Sequence, residues 1–367
     1  MANSDDITYW DYLNLEKILT AQGGKENNET DITNDELHFI VIHQVFELWF
    51  KLAIRELRYA RDILAKDMVV ETDLPVVVQH LKRVNEIFKI DQFTLLETMT
   101  PQDFLFFRAK LGTASGFQSI QMREIEVLIG LKRKQRVTLG SNDVLDVLVE
   151  SMKKSPHFKE LQDRLKEVEK EKTLKDGLLK WLSRTPIYGS TAQDSDYNLK
   201  VDQFLQEYYN QYCKLQDEMA DNLVKSAVDK KENILARFDV NKKTVKDYLF
   251  ALDIDEDKRI FTKMFRAGLV FIESYRKLPL LAWPRQLLES IVELEQLMVI
   301  WRNRHARMVE RMIGRRVGTG GSSGVDYLDE TTKYRIFGDL WTVRTLLLPE
   351  DNLPELKNKE FYDFVTN

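Results

Sequence analysis

Apolar residues recur along most of this chain at intervals of three and four, the spacing that gathers them on one side of an α-helix. No pair of β-branched runs is joined by a tight-turn dipeptide of the hairpin type, so the pattern predicts an all-α fold. A first long helix is expected to open at Thr33-Asn34-Asp35-Glu36, where hydroxyl and carboxylate can each satisfy a free backbone N–H, and to run through LHFIVIHQVFELWFKLAIRELRYARDIL. Apolar residues surround most of its first four turns, which predicts burial on nearly all sides there. A second helix is expected over about 74–96. A third starts at Thr100-Pro101-Gln102-Asp103, with proline at the first helical position, and ends before Gly112. Residues 113–131 read as a polar turn and a fourth helix.

From about 132 to 242 the chain turns charged, with runs such as KELQDRLKEVEKEKTLKD, and predicts solvent-facing helices added to the main body. Segments 243–252, 256–278 and 284–314 return to amphipathic helix and are expected in the core bundle. Without an internal repeat or a long low-complexity linker, residues 1–367 read as one domain with an N-terminal arm, 1–32, and a helical insertion at about 132–242.

Composition narrows the chemistry. The chain is 43% apolar over 367 residues, as in a globular protein. No run approaches the roughly 18 uncharged apolar residues of a membrane span, and MANSDDITYW lacks the basic and apolar regions of a signal peptide, so a cytoplasmic protein without a membrane is expected. Cys213 is the single cysteine, which rules out an internal disulfide, a thiolate zinc cluster and a multi-cysteine iron–sulfur site. A net charge of −5, with basic residues interleaved among acids, gives no reason to expect nucleic acid as a partner.

Five histidines are present, and two sit on strongly apolar helical faces. His43 shares its face with Phe39, Phe46 and Phe50, and His305 shares one with Met298, Trp301, Met308, Val309 and Met312. Each is either a satisfied core residue or a ligand. Zinc normally needs at least three protein ligands, whereas haem needs one proximal histidine and is commonly housed by helical bundles. Downstream of His305, the GTGGSSG run at 318–324 lacks a P-loop lysine, and Ser323 stands where a dinucleotide fingerprint needs glycine. It reads as a surface turn or as a loop whose Thr319, Ser322 and Ser323 hydroxyls grip a small polar ligand. Arg108, between Phe104 and Leu111 on an apolar helix face, either snorkels to solvent or presents a fork to a carboxylate. Ser115, followed by Gly116, reads as a helix cap.

Six blocks in order, YLNLEKIL, HFIVIHQVFELWFK, LETMTPQDFLFFR, ASGFQS, WRNRHARMVERMIG and GTGGSSG, resemble the tryptophan 2,3-dioxygenase family. The resemblance implies a haem-binding bundle of long antiparallel helices and a haem b enzyme, ferrous when active, that cleaves the indole C2–C3 bond of L-tryptophan with O2 to give N-formylkynurenine. By position it makes His305 the axial ligand of the haem iron, with Trp301 packed beside it and Ser115 and Gly116 near the haem. His43 becomes the catalytic histidine facing the indole nitrogen, Phe39 lines the indole pocket, and Phe104 is a further substrate-binding position. Arg108 pairs with the substrate carboxylate and Thr319 contacts its ammonium and carboxylate end. Tyr9 and Tyr12 match tyrosines that reach a neighbouring subunit's site, which implies a homotetramer.

Departures from the family pattern are Phe104, where some bacterial members carry a tyrosine that assists carboxylate binding, Trp10-Asp11 between the two tyrosines, and Val45-Phe46. Two alternatives remain at this point: a related haem enzyme oxygenating another indole, and a non-catalytic haem sensor. Joint presence of Arg108 and Thr319 favours an amino acid substrate over either.

Overall fold

The computed structural model describes residues 6–139, 142–226, 231–316, 318 and 324–363. Among them no strand forms; helices carry the structure, and two isolated bridges, Leu139 with Asn142 and Ile187 with Ser190, close turns. The all-α expectation is met. The described residues fall into two compact units: Met1–Arg55, Val84–Glu171 and Gln296–Tyr334 form the first, and Glu56–Arg83, Lys172–Glu295 and Arg335–Asn367 the second.

In the first unit, the helix Asn34–Leu64 begins where predicted: Thr33 Oγ1 accepts from the Glu36 N–H at 3.1 Å. The Glu36 carboxylate is engaged by Lys110 Nζ at 2.8 Å. Burial on all sides is not what the chain adopts, because Val41, Leu48 and Leu52 are exposed at 39%, 50% and 38%. One stripe, including Ile42, Phe46, Phe50 and Ala53, is buried, and the apolar residues opposite it stay at the surface. Length and a mean hydropathy of 1.4 would also suit this helix to crossing a membrane, but its buried stripe packs within the unit.

The segment expected at 74–96 is two helices, Asp73–Lys89 and Phe93–Leu96. Helix Pro101–Arg108 has its predicted start: Thr100 and Asp103 form the complete capping box, with proline inside the first turn. Ser119 then caps Ile120–Ile129 through the Met122 N–H, and Gly130, left-handed at φ +116°, ends it.

The charged block 132–242 contributes to both units and is not simply solvent-facing. Val144, Leu145 and Leu148 are fully buried in the first; Leu174, Leu178, Leu182, Val201, Phe204, Leu205 and Tyr208 are buried in the second. The lysines and glutamates between them occupy the outer faces and disguise a sparse apolar stripe.

In the second unit Gly268, on helix Glu256–Ser274, lets this element lie against the end of Leu174–Leu182: a Cβ there would stand 2.3 Å from the Leu182 carbonyl oxygen. Gly268→Ala is expected to cost about 1–3 kcal/mol, the usual range for overpacking a close contact, measured as a lowered urea midpoint with an unchanged slope. Buried Glu295 ties the same unit together, accepting from the Phe337 N–H at 3.0 Å and from Trp341 Nε1.

Candidate functional site

A cavity of about 220 Å³ lies wholly within the first unit. Helix Asn34–Leu64 supplies Phe39, His43, Phe46, Glu47 and Phe50; Pro101–Arg108 supplies Phe104 and Arg108. The turn after it brings Ser115 and Gly116, and helix Ala282–Ile313 brings Trp301, Arg302, His305, Met308 and Met312. Eight residues singled out in the sequence thus converge: Phe39, His43, Phe104, Arg108, Ser115, Gly116, Trp301 and His305.

Around His43 the walls are aromatic. Its ring is 4.0 Å from that of Phe39, which lies 5.8 Å from Phe104 and 5.6 Å from buried Phe107. His43 Nδ1 is 2.7 Å from the Phe39 carbonyl oxygen, one helical turn back. A carbonyl can only accept, so Nδ1 carries the hydrogen and the neutral ring presents Nε2 as an acceptor. Burial pushes the His43 pKa below the ordinary imidazole value, with the Phe39 carbonyl and Glu47 partly opposing it.

His305 stands in a second aromatic group. Its ring stacks on Phe93 at 5.5 Å and lies 5.4 Å from Trp301, which is itself packed by Phe46, Phe50, Phe88 and Phe93. Burial, reinforced by His43 and Arg123, pushes its pKa down to about 4, so the ring is neutral at physiological pH. A neutral imidazole on a wall of Trp301, Met308, Val309 and Met312 is the donor set that a flat, apolar, iron-bearing macrocycle requires, and haem fits these residues.

Ser115 caps the short turn Gly116–Gln118 through the Phe117 N–H at 3.3 Å, as its position predicted, and still lines the cavity. Thr319 lies outside the described residues. Gly318 and Gly324, on either side of it, both line the cavity. Gly324 has φ +65°, and a Cβ would meet the Arg316 carbonyl oxygen at 2.7 Å, so this end of the loop requires glycine. Tyr9 and Tyr12 lie exposed at 76% and 72% on helix Tyr9–Tyr12 and are not among the residues lining the cavity.

Sequence reading missed the charged part of the wall. Arg123, Glu126 and Arg302 line the cavity with Tyr327, and the Glu126 carboxylate accepts from both arginines at 2.9 Å and from Arg136 at 2.5 Å. Three ionisable residues, Arg123, Glu124 and Glu126, inside the mainly apolar stretch IQMREIEVLI were the available signal.

The tryptophan 2,3-dioxygenase family model matches residues 1–347. The chain belongs to the tryptophan 2,3-dioxygenase family. It is 44% identical to tryptophan 2,3-dioxygenase 2 of Ralstonia nicotianae over 98% of both chains. It is 43% identical to tryptophan 2,3-dioxygenase of Sorangium cellulosum over 98% of this chain and 88% of that protein. With tryptophan 2,3-dioxygenase B of Danio rerio it shares 36% identity over 95% of this chain and 84% of the other. Members are haem-dependent oxidoreductases of tryptophan catabolism.

Proposed function

We propose that this chain binds haem b through His305 and opens the indole C2–C3 bond of L-tryptophan with O2, placing both oxygen atoms in N-formylkynurenine. The observation that carries this reading is the convergence of His43, His305 and Arg108 on one largely aromatic cavity. Bound haem, ferrous in the active form, supplies the activation of O2. Everything else falls to the side chains. Phe39 and Phe104 form a slot for the indole ring; Arg108, joined by Thr319, holds the amino acid end. Trp301 steadies the imidazole of His305, and Ser115 and Gly116, which line the cavity, would border a bound haem. His43 accepts a hydrogen bond from the indole N–H at Nε2. A base is not needed there, since that proton is very weakly acidic.

Association into a homotetramer, with Tyr9 and Tyr12 reaching a neighbour's site, is part of the same reading. Its support is the exposed apolar surface of the arm and first long helix, including Ile7, Tyr9, Trp10, Tyr12 and Leu48. A cytoplasmic location is proposed with it.

Reduced, haem-loaded protein given L-tryptophan and ¹⁸O2 should yield a ring-opened product carrying two labelled atoms. One added oxygen would favour an indole oxygenase of another kind, and no turnover a sensor. The pH profile offers a separate check. Protonating His43 turns Nε2 from acceptor to donor, so activity is lost as pH falls through its folded pKa, which lies below 6.5. The acid limb of kcat/KM should therefore be centred below pH 6.5; a decline centred at 6.5 or above would contradict the assigned role.

A further inference from the structure

Glu126 is 1% exposed and is bound by three guanidiniums. Burial pushes its carboxyl pKa up, but Arg123, Arg136 and Arg302 outweigh this and hold it at about 2. Three positive charges against one negative leave a buried excess of two. Among the described residues nothing adjacent cancels it, so the two propionates of a bound haem b would be its counter-charge: Glu124 is committed to Arg164 through two contacts of 2.6 Å, and the Tyr334 phenol is pushed up to about 12, mainly by burial, so it stays neutral. Glu47 and Arg108, the other charged residues lining the cavity, add no net charge. Arg123 Nε and Arg136 Nε and Nη2 are buried without a hydrogen-bond partner among the described residues.

This charge adjoins the candidate iron ligand. Arg302 lies one turn before His305 on the same helix, its guanidinium 4.7 Å from the centre of the Tyr334 ring. We propose that Glu126 is a positioning residue that locks Arg302 and Arg123 into the cavity wall, and that the charges of the cluster's arginines favour the reduced state of a haem held by His305. The inference rests on the haem reading above. Charge in a poorly solvated interior acts over longer distances than at a surface, and a positive potential favours the state that has gained an electron.

Reductive titration of the holoenzyme with dithionite and mediator dyes, followed in the Soret band, tests it. A unit charge roughly 10–15 Å from a reacting centre, at an effective dielectric near 20, is worth about a factor of ten. Arg136→Gln, which alters a residue outside the cavity lining, should lower the ferrous-to-ferric ratio at a fixed potential about tenfold, or ~59 mV for one electron. Glu126→Gln should raise it by a similar factor, and Arg136→Lys, which keeps the charge, should restore the wild-type value. A purely structural role would move the glutamine variants together and leave the lysine variant impaired. Should Glu126→Gln fail to fold, the Arg136 pair decides alone. Haem with a histidine-ligated spectrum but an unmoved potential in Arg136→Gln overturns this charge assignment only; wild-type protein that takes up no haem overturns the function reading and this inference with it.

Discussion

His305→Ala should purify with less than about a tenth of the wild-type haem and form product at least about 10³-fold more slowly. The reason is the donor inventory of the cavity. His305 and His43 are its two imidazoles, and the Nδ1–H of His43 is engaged by its own helix, with the ring set among Phe39, Phe104 and Phe107. The His305 ring is neutral down to about pH 4, rests between Phe93 and Trp301, and accepts or donates no hydrogen bond among the described residues. Its ring nitrogens are available to a metal, and no thiolate stands among the residues lining the cavity, which do not include Cys213. The alanine leaves a hole between two aromatic rings, which costs about 2–4 kcal/mol but leaves the helix intact. Circular dichroism should be unchanged while the Soret absorbance collapses, and added imidazole, sized to the hole, should restore part of the spectrum. Normal haem content and full activity in this variant would sink the ligand assignment.

The sequence revealed the fold wherever an element carries its own signal. Thr100-Pro101-Gln102-Asp103 displays cap, first-turn proline and box together, and the structure forms all three. Local signals cannot say which apolar face meets another element, which is why residues around Val41 and Leu48 read as buried although they lie at the surface. In the charged block the error ran the other way. Val201, the pair Phe204-Leu205 and Tyr208 are buried but separated by Asp202-Gln203 and Gln206-Glu207, and density of apolar residues is a poor guide when one narrow stripe suffices. Similar logic governs the site. His43, Arg108 and His305 were visible as polar residues on apolar faces, each open to a bland reading until a neighbour was known. Glu126 needed partners 10 and 176 residues away, Arg136 and Arg302, before its charge made sense.

Arg108→Leu should lower kcat/KM for L-tryptophan by about 10²–10³-fold while changing that for tryptamine, which lacks the carboxylate, less than about threefold. Removing one partner of an enclosed, hydrogen-bonded ion pair costs about 2–5 kcal/mol, because the other charge is left desolvated. The sequence sets how firmly the arginine is presented. The Thr100–Asp103 box fixes the start of a two-turn helix, and Phe107, fully buried, anchors its inner face beside Phe39 and Phe104. Arg108 follows at the helix end and lines the cavity. Phe104 has no hydroxyl with which to share a carboxylate, so in the proposed role the guanidinium would carry more of the load than where a tyrosine assists. Arg108→Lys keeps the charge and loses the planar fork, and an intermediate loss of about tenfold is expected. Steady-state assays of the three proteins on both substrates separate a carboxylate clamp from a structural role. A clamp erases the preference for tryptophan over tryptamine, whereas general damage lowers both rates together and would remove Arg108 from the substrate site.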